Sequence, residues 1–178
     1  MPLPTIFIHP GLNNSGPQHW QTYWENEYGF IRINQRDWDA PVCKEWISTI
    51  DNTLSGYPLQ QVILIGHSLA CNTIVNWAKE YKRVIKAALL VGPSDTEAPS
   101  YPPGTTGFKP MPLFKLPFPS IVVASSNDEY VNPERAYFFA DSWGSQVINV
   151  GDKGHINSSS NLGNWPEGYA ILQTLINL

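Results

Sequence analysis

Residues 66 to 70 read Gly-His-Ser-Leu-Ala, a GxSxG-type pentapeptide with alanine in its last position. A five-residue match this loose arises by chance in roughly one chain in ten at ordinary glycine and serine usage, so its setting has to carry the inference. Here the match follows the apolar run Val62-Ile63-Leu64-Ile65 and precedes an amphipathic stretch carrying Ile74, Val75, Trp77 and Ala78. The predicted setting is strand, sharp turn, helix, where a nucleophilic serine is lifted above a sheet. Small residues at Gly66 and Ala70 let strand and helix cross close to the strained serine; the Ala70 methyl is a tolerated departure that widens the crossing slightly. The N–H of Leu69, at a helix N-terminus, would then face a developing oxyanion. The competing reading is that Ser68 only N-caps the helix Leu69 to Tyr81.

A serine at its free pKa is a weak nucleophile, and needs a histidine base oriented by a carboxylate. Of the four histidines, His155 lies on the glycine-flanked loop Gly151-Asp152-Lys153-Gly154-His155, after the last predicted strand, and is the natural base. His9 and His19 precede Ser68, against the order serine, acid, histidine that goes with this kind of turn. They read as a strand-end packing residue and a helix-entry hydrogen-bonder, and His67 as directed away from the serine. For the acid, Asp128 follows the strand-like Ile121-Val122-Val123-Ala124, while Asp95 follows the preceding strand; both also suit turn or capping roles. Asp128 is favoured because the last two strands should set their loops side by side. A second oxyanion donor should come from the loop His9 to Gly16, with the Leu12 N–H as candidate, since glycine there lets the backbone turn toward the serine.

Those side chains need a sheet whose strand ends converge. Short β-branched runs at Thr5–His9, Phe30–Asn34, Gln61–Gly66, Ile85–Gly92, Ser120–Ser125 and Gln146–Val150 alternate with helical patterns. The latter fall at Gln18–Glu27, Val42–Ser55, Leu69–Tyr81, Pro133–Ser142 and Pro166–Asn177. Six strands and five helices in this alternation predict an α/β fold, a parallel sheet covered by helices on both faces, in one domain over 1–178. The segment Gly92 to Pro119 holds eight of the sixteen prolines. It reads either as a stiff connection packing Phe108, Phe114 and Phe118 over the sheet, or as a wall of a pocket at the carboxyl end of the fourth strand.

Composition narrows the function classes. At 178 residues and 42% apolar content the chain can build a full core. Its net charge of -4, with eleven scattered Lys and Arg, argues against nucleic acid as a ligand. Cys43 and Cys71 are too few and too isolated for a metal site or disulfide framework, and no cofactor is implied. No apolar run reaches membrane-spanning length and the N-terminus lacks signal-peptide character; the expectation is a soluble cytoplasmic protein with no membrane partner.

Several stretches together resemble one family. PGLNNSGPQHWQTYWE (10–25), QRDWDAPVCKEW (35–46), GHSLA (66–70), PFPSIVVASSNDEYV (117–131) and GHINSSSNLGNWPEG (154–168) are similar to the small serine hydrolases of the retinoblastoma-binding protein 9 and YdeN type. The resemblance spans nearly the whole chain. It implies a shortened α/β-hydrolase fold without a cap domain, strand order 2-1-3-4-5-6, and Ser68, Asp128 and His155 as nucleophile, acid and base. The implied activity is hydrolysis of a small ester through an acyl-enzyme; an aminopeptidase or amidase, and a protein-binding module on the same fold, remain alternatives. Pro10 departs from the histidine that many hydrolases carry before the oxyanion-loop glycine, leaving the second donor open. Trp20, Trp38 and Trp165 fall in the resembling segments as candidates to line the substrate pocket, or as packing anchors, and Asn13 and Asn14 as candidates to orient polar substrate groups.

Overall fold

The computed structural model describes residues 3–178. It contains six strands, β1 (Thr5–His9), β2 (Ile31–Arg32), β3 (Val62–His67), β4 (Ala87–Val91), β5 (Ser120–Ala124) and β6 (Gln146–Asn149). Five α-helices accompany them: α1 (Trp20–Tyr28), α2 (Cys43–Leu54), α3 (Leu69–Tyr81), α4 (Pro133–Trp143) and α5 (Pro166–Ile176). The strands form one sheet in the order β2-β1-β3-β4-β5-β6, with every neighbouring pair parallel. No described helix is long and apolar enough to cross a membrane.

All residues of β1 after Thr5, and all of β3, β4 and β5, are buried, because helices cover both faces. The period of two divides each strand between two cores. Leu64, Ala88, Leu90 and Val122 join α2, α3 and α4 in one apolar cluster that includes Trp46, Trp77, Phe139 and Trp143. Their alternates Ile63, Ile65, Leu89, Ile121 and Val123 meet Trp20 and Trp24 of α1 and Leu172 and Leu175 of α5 in the other. The local signals at the helix ends match the sequence: Pro133 and Pro166 stand in the first turns of α4 and α5, and Asn132 caps α4 by accepting from the Arg135 N–H.

Register decides where the loops emerge. His9 pairs with Gly66, His67 with Val91, Val91 with Val123 and Ala124 with Asn149. The carboxyl ends of five strands therefore lie along one rim. The chain reverses its direction of winding between β1 and β3, which opens a crevice there, the usual ligand position in such sheets.

The second strand is shorter than the expected Phe30–Asn34 and covers two residues only. Past it, the Ile33 N–H still reaches the Ile8 carbonyl at 2.8 Å, but Gln35 then turns inward to His9. Arg32 is drawn toward α1, donating to Glu25 at 2.6 Å and to Thr22 at 2.9 Å. The Pro-rich segment combines both readings offered for it: Phe108 and Phe118 are buried in the core with Phe114 packed against it, while Ser94, Tyr101 and Pro102 face a cavity. Backbone bonds from Cys43 to Thr106 (2.8 Å) and from Thr106 to Pro41 (2.9 Å) fasten its middle to the entry of α2.

His9 ends β1 fully buried. Its Nδ1–H donates to the Pro10 carbonyl at 2.7 Å, and its Nε2 accepts from the Gln35 amide at 2.9 Å. Gln35 itself is held by the Trp46 carbonyl at 3.1 Å. A proton on Nε2 would face that amide donor in a fully buried site, and burial pulls the imidazole pKa down to about 4. The unfolded chain takes up this proton near 6.5, so between about 6.5 and about 4 only the unfolded state is protonated, and stability falls as the pH drops through that window. His9 should account for on the order of 1–2 kcal/mol of lost stability between about pH 7 and about pH 5. Urea titrations at both pH values test this: His9→Gln, which cannot ionise, should flatten that part of the pH dependence, and an unchanged slope would refute the assignment.

Candidate active site

Ser68 occupies the turn between β3 and α3 with φ 58° and ψ −124°, a backbone region that residues with a Cβ rarely enter. Two backbone hydrogen bonds and two close-packed glycines hold it there. The Ser68 N–H donates to the Val91 carbonyl at 2.9 Å, and its own carbonyl accepts from Cys71 at 3.0 Å. Gly66 and Gly11 leave the space the turn needs: a Cβ on Gly66 would lie 2.8 Å from Ile74 Cδ1 and 3.1 Å from the Ala70 carbonyl carbon. One on Gly11 would lie 2.8 Å from the His67 carbonyl oxygen and 2.9 Å from Ser68 Cβ. The Ser68 side chain makes no capping hydrogen bond to α3, so the capping role weighed for it does not apply.

Its hydroxyl instead lies 2.8 Å from His155 Nε2, and His155 Nδ1 lies 2.9 Å from both carboxylate oxygens of Asp128. The carboxylate fixes the tautomer: Nδ1–H donates to Asp128, leaving Nε2 as an acceptor for the serine proton. Asp128 and His155 meet because β5 and β6 are neighbours and their loops are laced together. Asn127 Oδ1 accepts from the Gly154 N–H at 2.7 Å, while Ser125 Oγ donates to the Gly151 carbonyl at 3.0 Å and accepts from the Lys153 N–H at 2.9 Å. Gly92 gives these groups room, since a Cβ there would come within 3.4 Å of Asp128 Oδ2 and 3.6 Å of His155 Nδ1. Asp95 is engaged elsewhere, accepting from Arg135 Nε at 2.8 Å and Nη2 at 3.1 Å.

His67 departs from the orientation expected of it. It is buried against the site, with its Nε2–H donating to the His155 carbonyl at 2.9 Å, and so braces the loop carrying that imidazole. Burial first, and then the nearby His19 and His155, hold the His67 pKa well below the ordinary histidine value. His19 caps α1 by accepting the Gln21 N–H, the helix-entry role read from sequence, and burial lowers it to about 3.

Leu69 follows Ser68 at the start of α3 and Leu12 lines the same cavity as Ser68; among the described residues neither N–H donates to a protein backbone acceptor. The loop between β1 and α1 takes its shape from Asn13 and Asn14, both left-handed at φ 64° and 65°. Asn13 N–H donates to the Trp38 carbonyl at 2.9 Å, and Arg32 Nη1 clamps Asn14 Oδ1 at 2.7 Å and the Ser15 carbonyl at 3.1 Å. Arg32 was not marked by any motif; its signal is only that β2 neighbours β1, which the sequence does not display.

Above Ser68 opens a cavity of about 320 Å³. Asn13, Asn14, Tyr101, Tyr130, Asn157 and Ser158 line it together with Ser94, His19, His67 and His155. No Lys, Arg, Asp or Glu is among the lining residues. The tryptophans considered for this pocket do not reach it. Trp20 and Trp165 are core residues packed on Trp24, with centroid distances of 4.7 and 5.9 Å. Trp38 packs edge-on against Trp46 at 5.5 Å. Large indoles gain most where they are enclosed on every side, and the space between helix and sheet does that better than an open rim. Asn13 does line the cavity, and no described protein group hydrogen-bonds its side chain. Tyr101, Tyr130 and Ser94 also line the cavity without a sequence motif to mark them; Ser94 stands beside Asp95, after β4.

The family model for serine hydrolases matches residues 6–174. The chain belongs to the serine hydrolase family. Among solved structures it is similar to a protein from Pectobacterium atrosepticum described as a YdeN-like hydrolase, 29% identical, with a TM-score of 0.86 over 97% of this chain and 90% of that one. The ydeN gene product of Bacillus subtilis is 16% identical with a TM-score of 0.79, covering 97% and 98% of the two chains. A carboxylesterase of Bacillus subtilis, 14% identical with a TM-score of 0.66 over 97% and 82%, shares the fold. No curated protein matches the chain. This serine hydrolase is thus of the small YdeN type, an α/β-hydrolase sheet without a cap domain.

The contact at Gly11 is the tightest backbone constraint on the serine turn. Gly11→Ala should lower the melting temperature by roughly 2–10 °C, the effect of about 1–3 kcal/mol of overpacking in a domain this size. Gly16→Ala, where the added methyl meets nothing within 4 Å, should leave it within about a degree. Equal melting temperatures for the two variants would show that the turn yields freely.

Proposed function

We propose that this serine hydrolase cleaves small, uncharged carboxylic esters through an acyl-enzyme on Ser68. The observation that carries the reading is the unbroken line Asp128–His155–Ser68, at 2.9 and 2.8 Å, opening into a cavity of about 320 Å³ whose lining holds no charged Asp, Glu, Lys or Arg side chain. In the first step Ser68 Oγ attacks the ester carbonyl while its proton passes to His155 Nε2, and the buried Asp128 carboxylate stabilises the imidazolium. The carbonyl oxygen, now an oxyanion, receives the N–H groups of Leu69 and Leu12. Collapse expels the alcohol, which takes the proton from His155. Water then repeats the sequence and releases the acid, restoring Ser68.

The volume is at the lower end of the range for small-molecule sites, which favours short acyl groups. An aminopeptidase needs a carboxylate to hold the substrate ammonium, and the cavity lining offers none; a neutral amide remains compatible with the site. The likeness to the carboxylesterase extends to fold alone, and the uncharged lining and small volume support a small neutral acyl substrate.

Three measurements test the proposal. A fluorophosphonate should label Ser68 covalently, and Ser68→Ala should abolish the label; folded protein that resists labelling would favour a binding scaffold instead. 4-Nitrophenyl acetate should be hydrolysed with a higher kcat/KM than 4-nitrophenyl octanoate, whereas the reverse order would refute the short acyl site. Asp128→Asn should lower kcat by about four orders of magnitude, as in other Ser-His-Asp enzymes. Asp95→Asn, which loosens the Arg135 grip on the loop after β4 while Glu97 still accepts from that guanidinium, should lower the melting temperature and cost kcat far less than Asp128→Asn; a loss equal to that of Asp128→Asn would move the acid to the preceding strand.

A further inference from the structure

A second serine touches the nucleophile. Ser94 Oγ lies 2.8 Å from Ser68 Oγ, in a side chain that is only 1% exposed and has no other described hydrogen-bond partner for its hydroxyl. The direction of this bond follows from counting protons. In the form in which the triad acts as a base, with an ionised carboxylate and a neutral imidazole, His155 Nδ1–H donates to Asp128 and Nε2 accepts from Ser68. Ser68 has one hydroxyl proton, and that bond uses it. The remaining bond between the serines can only run from Ser94 Oγ–H to Ser68 Oγ.

The loop around Ser94 is built to keep it there. Asn72, fully buried on α3, donates through Nδ2 to the Ser94 carbonyl at 3.1 Å, and Thr96 Oγ1 donates to the Phe108 carbonyl at 3.1 Å. The next residue, Asp95, is gripped by Arg135 through two hydrogen bonds. A hydroxyl on a mobile loop would sample water; this one is anchored on both sides and faces the reacting oxygen.

We infer that Ser94 is a further catalytic residue, whose hydroxyl donates a hydrogen bond to Ser68 Oγ and stabilises the negative charge that oxygen carries as it attacks the acyl carbon and again as it leaves in deacylation. Ser94 transfers no proton. The Ser68 proton passes to His155 Nε2 and on to the departing alcohol; in the second half the proton of water follows the same route back to Ser68. Throughout, Ser94 keeps its own hydrogen and points it at Ser68 Oγ. That donor serves both half-reactions, whereas the Leu12 and Leu69 N–H groups serve the oxygen of the substrate. The inference rests on Ser68 being the nucleophile.

The test is Ser94→Ala, read by the second-order rate of fluorophosphonate labelling and by kcat and KM on 4-nitrophenyl acetate. Loss of a hydrogen bond to a developing charge should slow labelling and kcat together by about ten- to a hundred-fold, with KM within about two-fold and an unchanged melting temperature. Ser94→Cys, close in volume but a poor donor, should behave like alanine and covers the case in which alanine fails to fold; Ser94→Thr, which keeps the hydroxyl, should recover most of the rate. Unchanged or faster labelling in the folded alanine or cysteine variant would overturn the inference, as would a raised KM with kcat intact. Wild-type protein that is not labelled at all would instead overturn the assignment of Ser68, so the two failures are distinguishable.

Discussion

The left-handed backbone at Ser68 is the constraint around which the rest of the site is arranged. A serine at φ 58° costs on the order of 1–3 kcal/mol relative to ordinary backbone, and it persists only because strand, helix and neighbouring loop leave the chain no other course. Gly66 permits the helix to cross the strand, Gly11 permits the first loop to press against the turn, and Val91 accepts the serine N–H. The conformation projects the hydroxyl out of the sheet while leaving the Leu69 N–H at the start of α3. Strain in the backbone and exposure of the reactive oxygen are one feature.

Around that turn the molecule concentrates buried, neutral polar groups. His9, His19 and His67 are kept uncharged by burial, and each makes a hydrogen bond that fixes a loop: Pro10 through His9, the entry of α1 through His19, and the His155 carbonyl through His67. Neutral imidazoles suit this work, since a positive charge beside His155 would disfavour the imidazolium that proton transfer creates there. Charged groups are placed farther out. Arg32 and Arg135 hold the first loop and the loop after β4 from outside the cavity, through Asn14 and Asp95, so the reacting space is polar without a fixed charge in its lining.

Much of this was legible before any coordinates. The helix Leu69–Tyr81 and the strand Thr5–His9 have the boundaries expected from periodicity, because a run of β-branched residues between turn signals and a 3.6-residue apolar repeat are local properties. The 2-1-3-4-5-6 order was implied by family resemblance, not by periodicity, and the sheet has it. Less legible were the edges. The second strand has a partner on one side only, and Arg32 and Gln35 leave it for contacts with α1 and His9 that lie far off in the chain. The tryptophans were misplaced for a similar reason: Trp20, Trp38 and Trp165 sit in segments that flank the site, but which way a side chain faces there depends on how α1 and α5 lie against the sheet.

The amino-acid sequence by itself determined the strand-turn-helix at Ser68, the alternation of strands and helices, and the residue types available for proton transfer, since these depend on neighbours within a few positions. Tertiary structure alone decided which carboxylate faces His155, what Ser68 touches besides the imidazole, and which side chains line the cavity. Asp128 and Asp95 follow adjacent strands in similar turns; only Arg135, forty positions beyond Asp95 and seven beyond Asp128, separates their roles by occupying one of them. Ser68 and Ser94 follow different strands, and the parallel register of β3 with β4 brings their hydroxyls within 2.8 Å. Contacts of that kind are products of register and packing, and no local property of the chain encodes them.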